Sequence, residues 1–416
     1  MAWINTETDR LRQQLRNTIG PAVWISQCLS LAPYPLSLFQ KKCSTDGVRF
    51  RVITFFRYMF GILTTALTIA SQFVLFIYYP YLLYQPKVPI FIVILYYIVN
   101  ILQSMTIAIM MIGCEARRGN YEGYFINVLS LINDTEPQRD CQTTIWYRNT
   151  VRALLFFYAT VTLVLPIIMA SVLQEVATIP YVITHIIPFV VSYLILMQYY
   201  CVLIHVSSIL RKLNERLVPL MNMKSHLESG FLRQKHHVYN ILGQSLSSSR
   251  VENNHLEQIE KLRLMHVRAL DIAGSLSGKF GTVIILIVVA AFASVNIELL
   301  ELYQCVKLGN LGPLYIVMKF LFAVIKFSFY ILIAYPNRLI QNENQRTLFM
   351  LYKIKRTSCT LETNGAIEHY ISQITNLQDI HQACGMINLD MKLISNVVAA
   401  ITSIMVVLIQ FSDTGL

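Results

Sequence analysis

Long runs of apolar residues, separated by charged stretches, are the feature that most constrains the fold of this chain. Each run holds about 20 or more mainly apolar residues, enough for a helix to cross a hydrocarbon core about 30 Å thick. Only 14% of the 416 residues are charged, against about a quarter in a typical soluble protein. The pattern predicts an all-α membrane protein with seven transmembrane helices, at residues 54–79, 88–113, 152–173, 181–206, 281–302, 313–335 and 393–411.

The positions of the basic residues predict how these helices are oriented. Of the 34 Lys and Arg residues, 28 lie in the N-terminal segment and in the loops after the second, fourth and sixth spans, whereas the opposite loops hold Lys87 and Lys307. Because positively charged loops stay in the cytoplasm, we expect the N-terminus to be cytoplasmic and the C-terminus extracellular. Basic loops also face the anionic lipid of the inner leaflet. Membrane lipid, and not nucleic acid, therefore accounts for the net charge of +11.

The predicted spans divide the chain into segments. The two long cytoplasmic loops contain amphipathic stretches, in which residues such as Leu256, Ile259 and Leu262 recur at helical spacing. Their apolar faces predict a helical anchor that continues the membrane helices inward, interrupted by a flexible linker at 242–254. The segments are a cytoplasmic N-terminus (1–53), spans one to four (54–208), an anchor loop (209–280), spans five and six (281–337), a second anchor loop (338–392), a seventh span (393–411) and an extracellular tail (412–416).

Catalytic and metal-binding motifs are absent from the sequence. It contains no GxSxG, HExxH or P-loop motif, which are common signatures of hydrolases, zinc proteases and nucleotide-binding enzymes. It also lacks the CxxC pairs of structural zinc sites. We therefore expect a protein that is not an enzyme and that needs no cofactor or metal ion.

Polar side chains inside the spans are the first set of candidate functional residues, because such groups are costly in hydrocarbon. Lys319 and Lys326 lie seven residues apart in the sixth span and share one face of the helix. One interpretation is a small-molecule cavity open to the outside. The other is internal pairing, such as Lys319 with Glu298, or snorkelling of Lys326. The candidate pocket residues are Asn100, His185, Asn296, Tyr315 and Lys319.

The seventh span has one face that is small or polar along most of its length and an opposite face that is bulky. Several copies around an axis could enclose a pore with the small face inward, Gln410 as a polar ring and Phe411 as an apolar constriction that gates by dewetting. A stripe of small residues is equally a helix-packing surface, so the residues leave both interpretations open. The face consists of Asn396, Ala399, Ser403, Val406 and Val407 together with Gln410.

The end of the chain, "TSIMVVLIQF", resembles the C-terminal signature of the insect chemoreceptor superfamily, in particular of the gustatory receptors. That signature is Thr-Tyr, then five mostly apolar residues, then Gln-Phe. Thr402, Gln410 and Phe411 match it, and Ser403 stands where the tyrosine is usual. Upstream, Gly385 and Asp390 follow a pattern of glycine and then aspartate that is similar to the family's. Together with seven predicted spans, an inside N-terminus and short outer loops, the resemblance covers essentially the whole sequence.

This resemblance implies a ligand-gated, non-selective cation channel of four identical or related subunits, opened by a small-molecule tastant in the plasma membrane of sensory neurons. It places Gln410 and Phe411 at the filter and gate of a central pore. It also places a ligand pocket in the outer half of each subunit's first six spans, and subunit contacts in the cytoplasmic anchor. Two rivals remain. A G-protein-coupled receptor is disfavoured by the inverted topology, and a secondary transporter by the lack of internal repeats.

Overall fold

The computed structural model describes residue 13 and residues 19–33, 48–78, 90–135, 141–172, 175–233, 241–308, 313–357, 361–377 and 382–414. Almost all of these residues are helical, and residues 19–28 form a first short helix. The remaining elements are α1 (Val48–Tyr78), α2 (Ile90–Ile112), a 3-10 turn (Glu115–Arg117), α3 (Arg118–Thr135), α4 (Cys141–Val172), α5 (Glu175–Arg233), α6 (Ile241–Leu308), α7 (Pro313–Thr357), α8 (Leu361–Asn376), β1 (Gln382–Ala383), β2 (Ile387–Asn388) and α9 (Met391–Thr414).

The described helices account for the apolar runs of the sequence. Six of them, α1, α4, α5, α6, α7 and α9, contain stretches long and apolar enough to cross a membrane, and α2 contributes a shorter apolar stretch at Tyr97–Ile112. The all-helical prediction is therefore confirmed for the described part of the chain, apart from the small ribbon of β1 and β2. The crossing of the membrane by α2, as a seventh span, stays a prediction.

Three of the helices are far longer than a membrane is thick. The lengths of α5, α6 and α7 are 59, 68 and 45 residues, or roughly 90, 100 and 70 Å at a rise of about 1.5 Å per residue. Each therefore continues well beyond a hydrocarbon core of about 30 Å. The predicted linker at 242–254 was wrong, because α6 begins at Ile241 and runs through it. The stretch holds one glycine and no proline, so nothing in it blocks propagation of the helix.

The middle of α5 is the centre of the packing. Every residue from 191 to 204 is buried, and α5 contacts α1, α2, α3, α4, α6 and α7. Within this stretch, Tyr199 joins three helices: its hydroxyl lies 3.2 Å from the Ser277 hydroxyl of α6, and the side-chain nitrogen of Asn337 on α7 donates to it at 3.1 Å. Asn337 also donates to the carbonyl of Ile333 at 2.9 Å, next to Pro336, which carries no backbone donor. These bonds fix the three long helices relative to one another.

The extensions of α5, α6 and α7 meet α8 around a buried polar cluster, here called the extension hub, of Asn214, His266, Glu343, Thr347 and Tyr370. Thr347 donates to the side-chain oxygen of Asn214 at 2.6 Å and lies 3.3 Å from Nε2 of His266. Asn214 donates to the Glu343 carboxylate at 2.8 Å, and the Tyr370 ring meets the His266 ring edge-on. Burial lowers the pKa of His266 to about 3, so this imidazole is neutral at physiological pH.

Candidate functional site

The ribbon of β1 and β2 sets the start of α9. Gln382 pairs with Asn388 and Ala383 pairs with Ile387, and the turn between them places Cys384 and Gly385 at φ angles of 51° and 68°. Two consecutive positive φ angles are characteristic of a type I′ turn, which glycine adopts without strain. Asp390 then caps α9, because its carboxylate accepts from the backbone N–H of Lys392 at 3.0 Å. The glycine and the aspartate of the C-terminal pattern thus both position this helix.

The ribbon lies against α6 at a position that requires glycine. A Cβ atom at Gly281 would come within 2.9 Å of both the backbone nitrogen and the Sγ atom of Cys384, closer than carbon and nitrogen normally approach. By contrast, a Cβ atom at Gly278, one helical turn earlier, would meet no atom within 4 Å. The contact at Gly281 therefore couples α6 directly to the turn that leads into α9.

The two faces of α9 have opposite environments within the subunit. Leu393, Val397, Ile401 and Leu408 are buried, on the side where α9 contacts α6 and α7. The predicted pore-lining residues and Gln410 are exposed instead, namely Asn396, Ala399, Ser403, Val406, Val407 and Gln410. The small, polar stripe of α9 is consequently directed away from the subunit that carries it.

The signature residues lie along the C-terminal part of this stripe. Ser403 donates to the carbonyl of Ala399 at 2.9 Å, so its hydroxyl is satisfied by its own helix. Gln410 is exposed. Phe411 is in the last turns of α9, and its side chain lies outside the described residues. Six residues separate Ser403 from Gln410, one more than the signature has between its tyrosine and its glutamine. The Thr-Tyr pair of the signature therefore aligns with Ser403 and Ile404, and not with Thr402 and Ser403.

The two lysines of the sixth span belong to a buried ionic cluster between α6 and α7. Lys319 bridges two carboxylates: its Nζ lies 3.2 Å from Glu298 and also contacts Glu301. Lys326 binds the second oxygen of Glu298 at 2.9 Å. The four side chains are 3–15% exposed and sum to zero formal charge. Both lysines are thus paired internally, as one of the two interpretations from the sequence predicted. Burying either charge alone would be strongly unfavourable.

A small cavity borders this cluster. It is here called the outer cavity, because it lies near the ends of the spans that the basic loops predict to face the outside. It has room for about one water molecule, which is far less than the small-molecule pockets of about 300–1,000 Å³. It lies between α2, α5, α6 and α7, and one carboxylate and one lysine of the ionic cluster contribute to its wall. Its described lining consists of Val99, Asn100, Gln103, His185, Ser294, Ile297, Glu298 and Lys326.

The structure brings together some of the predicted pocket residues. Asn100 and His185, on α2 and α5, both line the outer cavity. Asn296 donates instead to the carbonyl of Phe292 at 2.8 Å. Tyr315 packs near Lys319, whose Nζ lies 5.5 Å from the ring centroid.

Three polar residues of this region were not predicted from the sequence: Gln103, Ser294 and Glu301. Gln103 and Ser294 line the outer cavity, and the side-chain nitrogen of Gln103 lies 3.4 Å from the Ser294 hydroxyl. Glu301 contacts Lys319 in the ionic cluster. Its position three residues after Glu298, on the same helix face, was a usable signal.

Comparisons with known proteins agree with this architecture. The family model described as 7tm Chemosensory receptor matches residues 19–415. A Drosophila melanogaster protein, "Putative gustatory receptor 59f", is 24% identical over 164 residues, which cover 38% of this chain and 39% of that protein. The chain thus aligns with well under half the length of this relative. The olfactory receptor OR5 from the insect Machilis hrabei has a similar fold, with a TM-score of 0.57 and 11% identity over 96% of this chain and 99% of that one.

The match to the family model extends over nearly the whole sequence, from the first short helix to the end of α9. The chain therefore belongs to the 7tm chemosensory receptor family. It is a membrane protein of a receptor family and not an enzyme.

Proposed function

We propose that this chain is a gustatory receptor that acts as a ligand-gated, non-selective cation channel in the plasma membrane of sensory neurons. Four identical or related subunits surround a central pore. In each subunit α1, α2, α4, α5, α6, α7 and α9 cross the membrane, with the N-terminus in the cytoplasm and the C-terminus outside. The relative in Drosophila melanogaster, named as a gustatory receptor, supports the choice of a tastant as the ligand.

The outward-facing stripe of α9 is the observation that carries this proposal. A helix at the edge of a bundle that faced only lipid would be expected to present apolar residues alone, yet α9 exposes Asn396, Ser403 and Gln410 beside its exposed valines. Polar groups are disfavoured against hydrocarbon. Copies of α9 around an axis would remove this stripe from the lipid by lining a water-filled path.

In the pore, Gln410 forms a polar ring near the outer mouth and Phe411 an apolar constriction beside it. In the closed state the constriction excludes water, and cations do not pass. Outward movement of α9 withdraws Phe411 and wets the Gln410 ring. Val406, Val407, Ser403, Ala399 and Asn396 line the path below them.

The ligand binds in the outer half of the subunit. We assign Asn100 and His185, which share the outer cavity, as direct contacts, and Asn296, Tyr315 and Lys319 as the surrounding part of the pocket. Lys319, held by two carboxylates, shapes the pocket more than it attracts acidic ligands. A ligand opens the channel only to the extent that it binds the open state more tightly than the closed state. Because α6 and α7 contact both the cavity and α9, a ligand's preference for the open state can be transmitted through them to α9.

Whole-cell currents test the pore assignment. Cells expressing the chain, alone or with related receptors, are challenged with sugars, bitter alkaloids, amino acids and acids. We expect Gln410→Ala to change cation selectivity or conductance and Phe411→Ala to raise the basal leak. Val398→Ala is the matched control, because Val398 is also exposed on α9 but lies about 120° around the helix from Gln410. If Gln410→Ala and Phe411→Ala leave conductance, selectivity and leak unchanged, the pore assignment is wrong.

A further inference from the structure

The exposed stripe of α9 continues beyond the residues assigned to the pore and reaches a lysine at the start of the helix. Lys392 precedes Gln410 by 18 residues, which is five full turns of an α-helix at about 3.6 residues per turn. The two residues therefore lie on one line along α9, roughly 27 Å apart at a rise of about 1.5 Å per residue. Lys392 is exposed, as are Asn396 and Ser403 above it. The lysine thus belongs to the same stripe.

Lys392 is the only charged residue on this stripe. From residue 382, at the start of the ribbon, to residue 412, near the end of α9, the sequence contains two charged residues, Asp390 and Lys392. The remaining residues of the stripe are polar and uncharged or apolar. Whatever electric field acts along the stripe from α9 itself therefore comes mainly from its first turn.

The two charged residues of this segment are held differently. The Asp390 carboxylate accepts from the backbone N–H of Lys392 at 3.0 Å, so it stays at the end of its own helix as a cap. The positive end of the helix dipole offsets part of its negative charge. The side chain of Lys392, by contrast, is exposed. The start of the stripe consequently carries a net positive charge.

A lysine is disfavoured at this position by local energetics. It lies in the first turn of α9, where the helix dipole favours acidic residues and opposes basic ones. A residue that breaks a local preference often serves a function. Contact with anionic lipid of the inner leaflet is one such function. The line that Lys392 shares with Gln410 favours another, because both side chains then face the same surroundings.

We propose that Lys392 sets the rectification of the channel by forming a ring of positive charge at the inner mouth of the pore, the end of the stripe at the start of α9. The proposal rests on the proposed function, because it requires the stripe to face a pore. The basic loops predict that this end is cytoplasmic. Cations leaving the cell meet the ring first, and cations entering the cell meet it last. The ring lowers the cation concentration at the inner mouth, so the channel passes inward current more readily than outward current.

The size of the effect follows from simple electrostatics. Four unit charges at about 8 Å from a cation in water, screened over about one Debye length, change its local concentration by roughly two- to fivefold. The effect also depends on salt. The Debye length falls from about 10 Å at 0.1 M ionic strength to about 3 Å at 1 M, so concentrated salt should hide the ring from permeating cations.

Currents in excised inside-out patches test the proposal. Both faces of the patch hold the same salt solution, ligand is present on the outer face, and inward and outward currents are compared at equal and opposite voltages. We expect Lys392→Gln to lower the ratio of inward to outward current by roughly two- to fivefold, Lys392→Glu to lower it further, and Lys392→Arg to preserve it. Raising the salt from about 0.1 to about 1 M should lower the ratio in the parent protein but not in Lys392→Gln.

Chemical modification restores the charge in a channel that is already assembled, so it separates charge from folding. Lys392→Cys is made together with Cys384→Ser, because Cys384 is exposed nearby. A positively charged thiol reagent applied to the inner face should raise the ratio of inward to outward current, and a negatively charged one should lower it. Lys261→Gln, which removes an exposed lysine from the cytoplasmic extension of α6, is the matched control and should leave the ratio unchanged.

The outcomes distinguish the ring from the pore itself. If Gln410→Ala alters the currents but no change of charge at Lys392 alters the ratio, the ring is refuted and the pore assignment stands. If Lys261→Gln changes the ratio as much as Lys392→Gln does, the effect comes from cytoplasmic charge in general and the ring is also refuted. If neither Gln410 nor Lys392 affects conductance, selectivity or rectification, the proposed function is wrong.

Discussion

At the scale of single residues, the ionic cluster between α6 and α7 makes the sharpest stability prediction. Lys319→Met leaves Glu301 without its described cation and Glu298 with Lys326 alone. Removing one partner of a buried ion pair typically costs about 3–5 kcal/mol. We expect a large loss of thermal stability in the detergent-solubilised receptor.

Two controls separate lost pairing from lost volume. The double variant Lys319→Met with Glu301→Gln removes both charges, and we expect it to recover much of the stability. Lys307→Met changes an exposed lysine of α6 and should have little effect. If Lys319→Met is as stable as the parent protein, the four side chains do not form a coupled cluster.

His266 in the extension hub predicts a pH dependence of stability. Its folded pKa of about 3 lies below the unfolded value of about 6.5, so below pH 6.5 the unfolded chain binds a proton that the folded chain does not. Stability should therefore fall as the pH decreases from about 6.5 towards 3, by at most about 1.4 kcal/mol per pH unit from this group. Thermal unfolding at several pH values should show a shallower slope in His266→Gln, and an identical slope in both proteins would contradict a buried, neutral His266.

The same residues show what the sequence could and could not predict. A charged lysine in the hydrocarbon core is unfavourable, so the sequence predicted a protein partner for Lys319 and named Glu298. Glu301 was missed, because pairing across two helices depends on their relative rotation, which hydropathy does not determine. The extension hub could not be predicted from the sequence either. Asn214 and His266 are 52 residues apart, His266 and Thr347 are 81 residues apart, and they meet only when three helices pack.

At the scale of elements, the contact of α6 with the β1–β2 turn predicts opposite effects for two glycines of one helix. Gly278→Ala adds a methyl group in open space and should stabilise α6 by about 0.5–1 kcal/mol. Gly281→Ala brings Cβ to 2.9 Å from the backbone of Cys384 and must displace the turn. We expect this variant to lose stability and to shift the ligand concentration for half-maximal current.

The pair is its own control, because the substitutions are identical and lie one turn apart. Equal effects of both on thermal stability and current would show that α6 does not touch the turn into α9. The sequence predicted the membrane helices here because twenty apolar residues suffice to identify a span. It did not predict the ribbon, since two-residue strands have no periodicity, nor that α6 continues through 242–254, where a polar composition suggested a linker.

At the scale of the whole molecule, the proposed tetramer requires surfaces through which subunits meet. On the extension of α7, Phe349 and Tyr352 are 69% and 53% exposed, beyond the span predicted at 313–335. Exposed aromatic residues of this size are enriched at protein interfaces. Phe349→Glu or Tyr352→Glu should shift the solubilised protein from a mass near four times 47.8 kDa towards the monomer.

Lys353→Glu is the matched control for this test, because it introduces the same acidic side chain at an exposed position in the same turn. Mass photometry of the three variants and the parent protein measures the result. If Phe349→Glu and Tyr352→Glu remain tetrameric, the subunits do not meet through this part of α7. If the parent protein is monomeric in lipid nanodiscs as well as in detergent, the tetramer itself is wrong.

The central claim is that the exposed stripe of α9 lines a pore, and substituted-cysteine accessibility tests it most directly. Cysteine is introduced at Ser403, Gln410 and, as a control, Val398, and a charged thiol reagent is applied from outside during ligand-evoked currents. Our account predicts that the reagent blocks the current at Gln410→Cys and, more rapidly with ligand present, at Ser403→Cys. The parent protein and Val398→Cys should be unaffected. Equal modification at Val398 and Ser403, or block at none of the three positions, would contradict it.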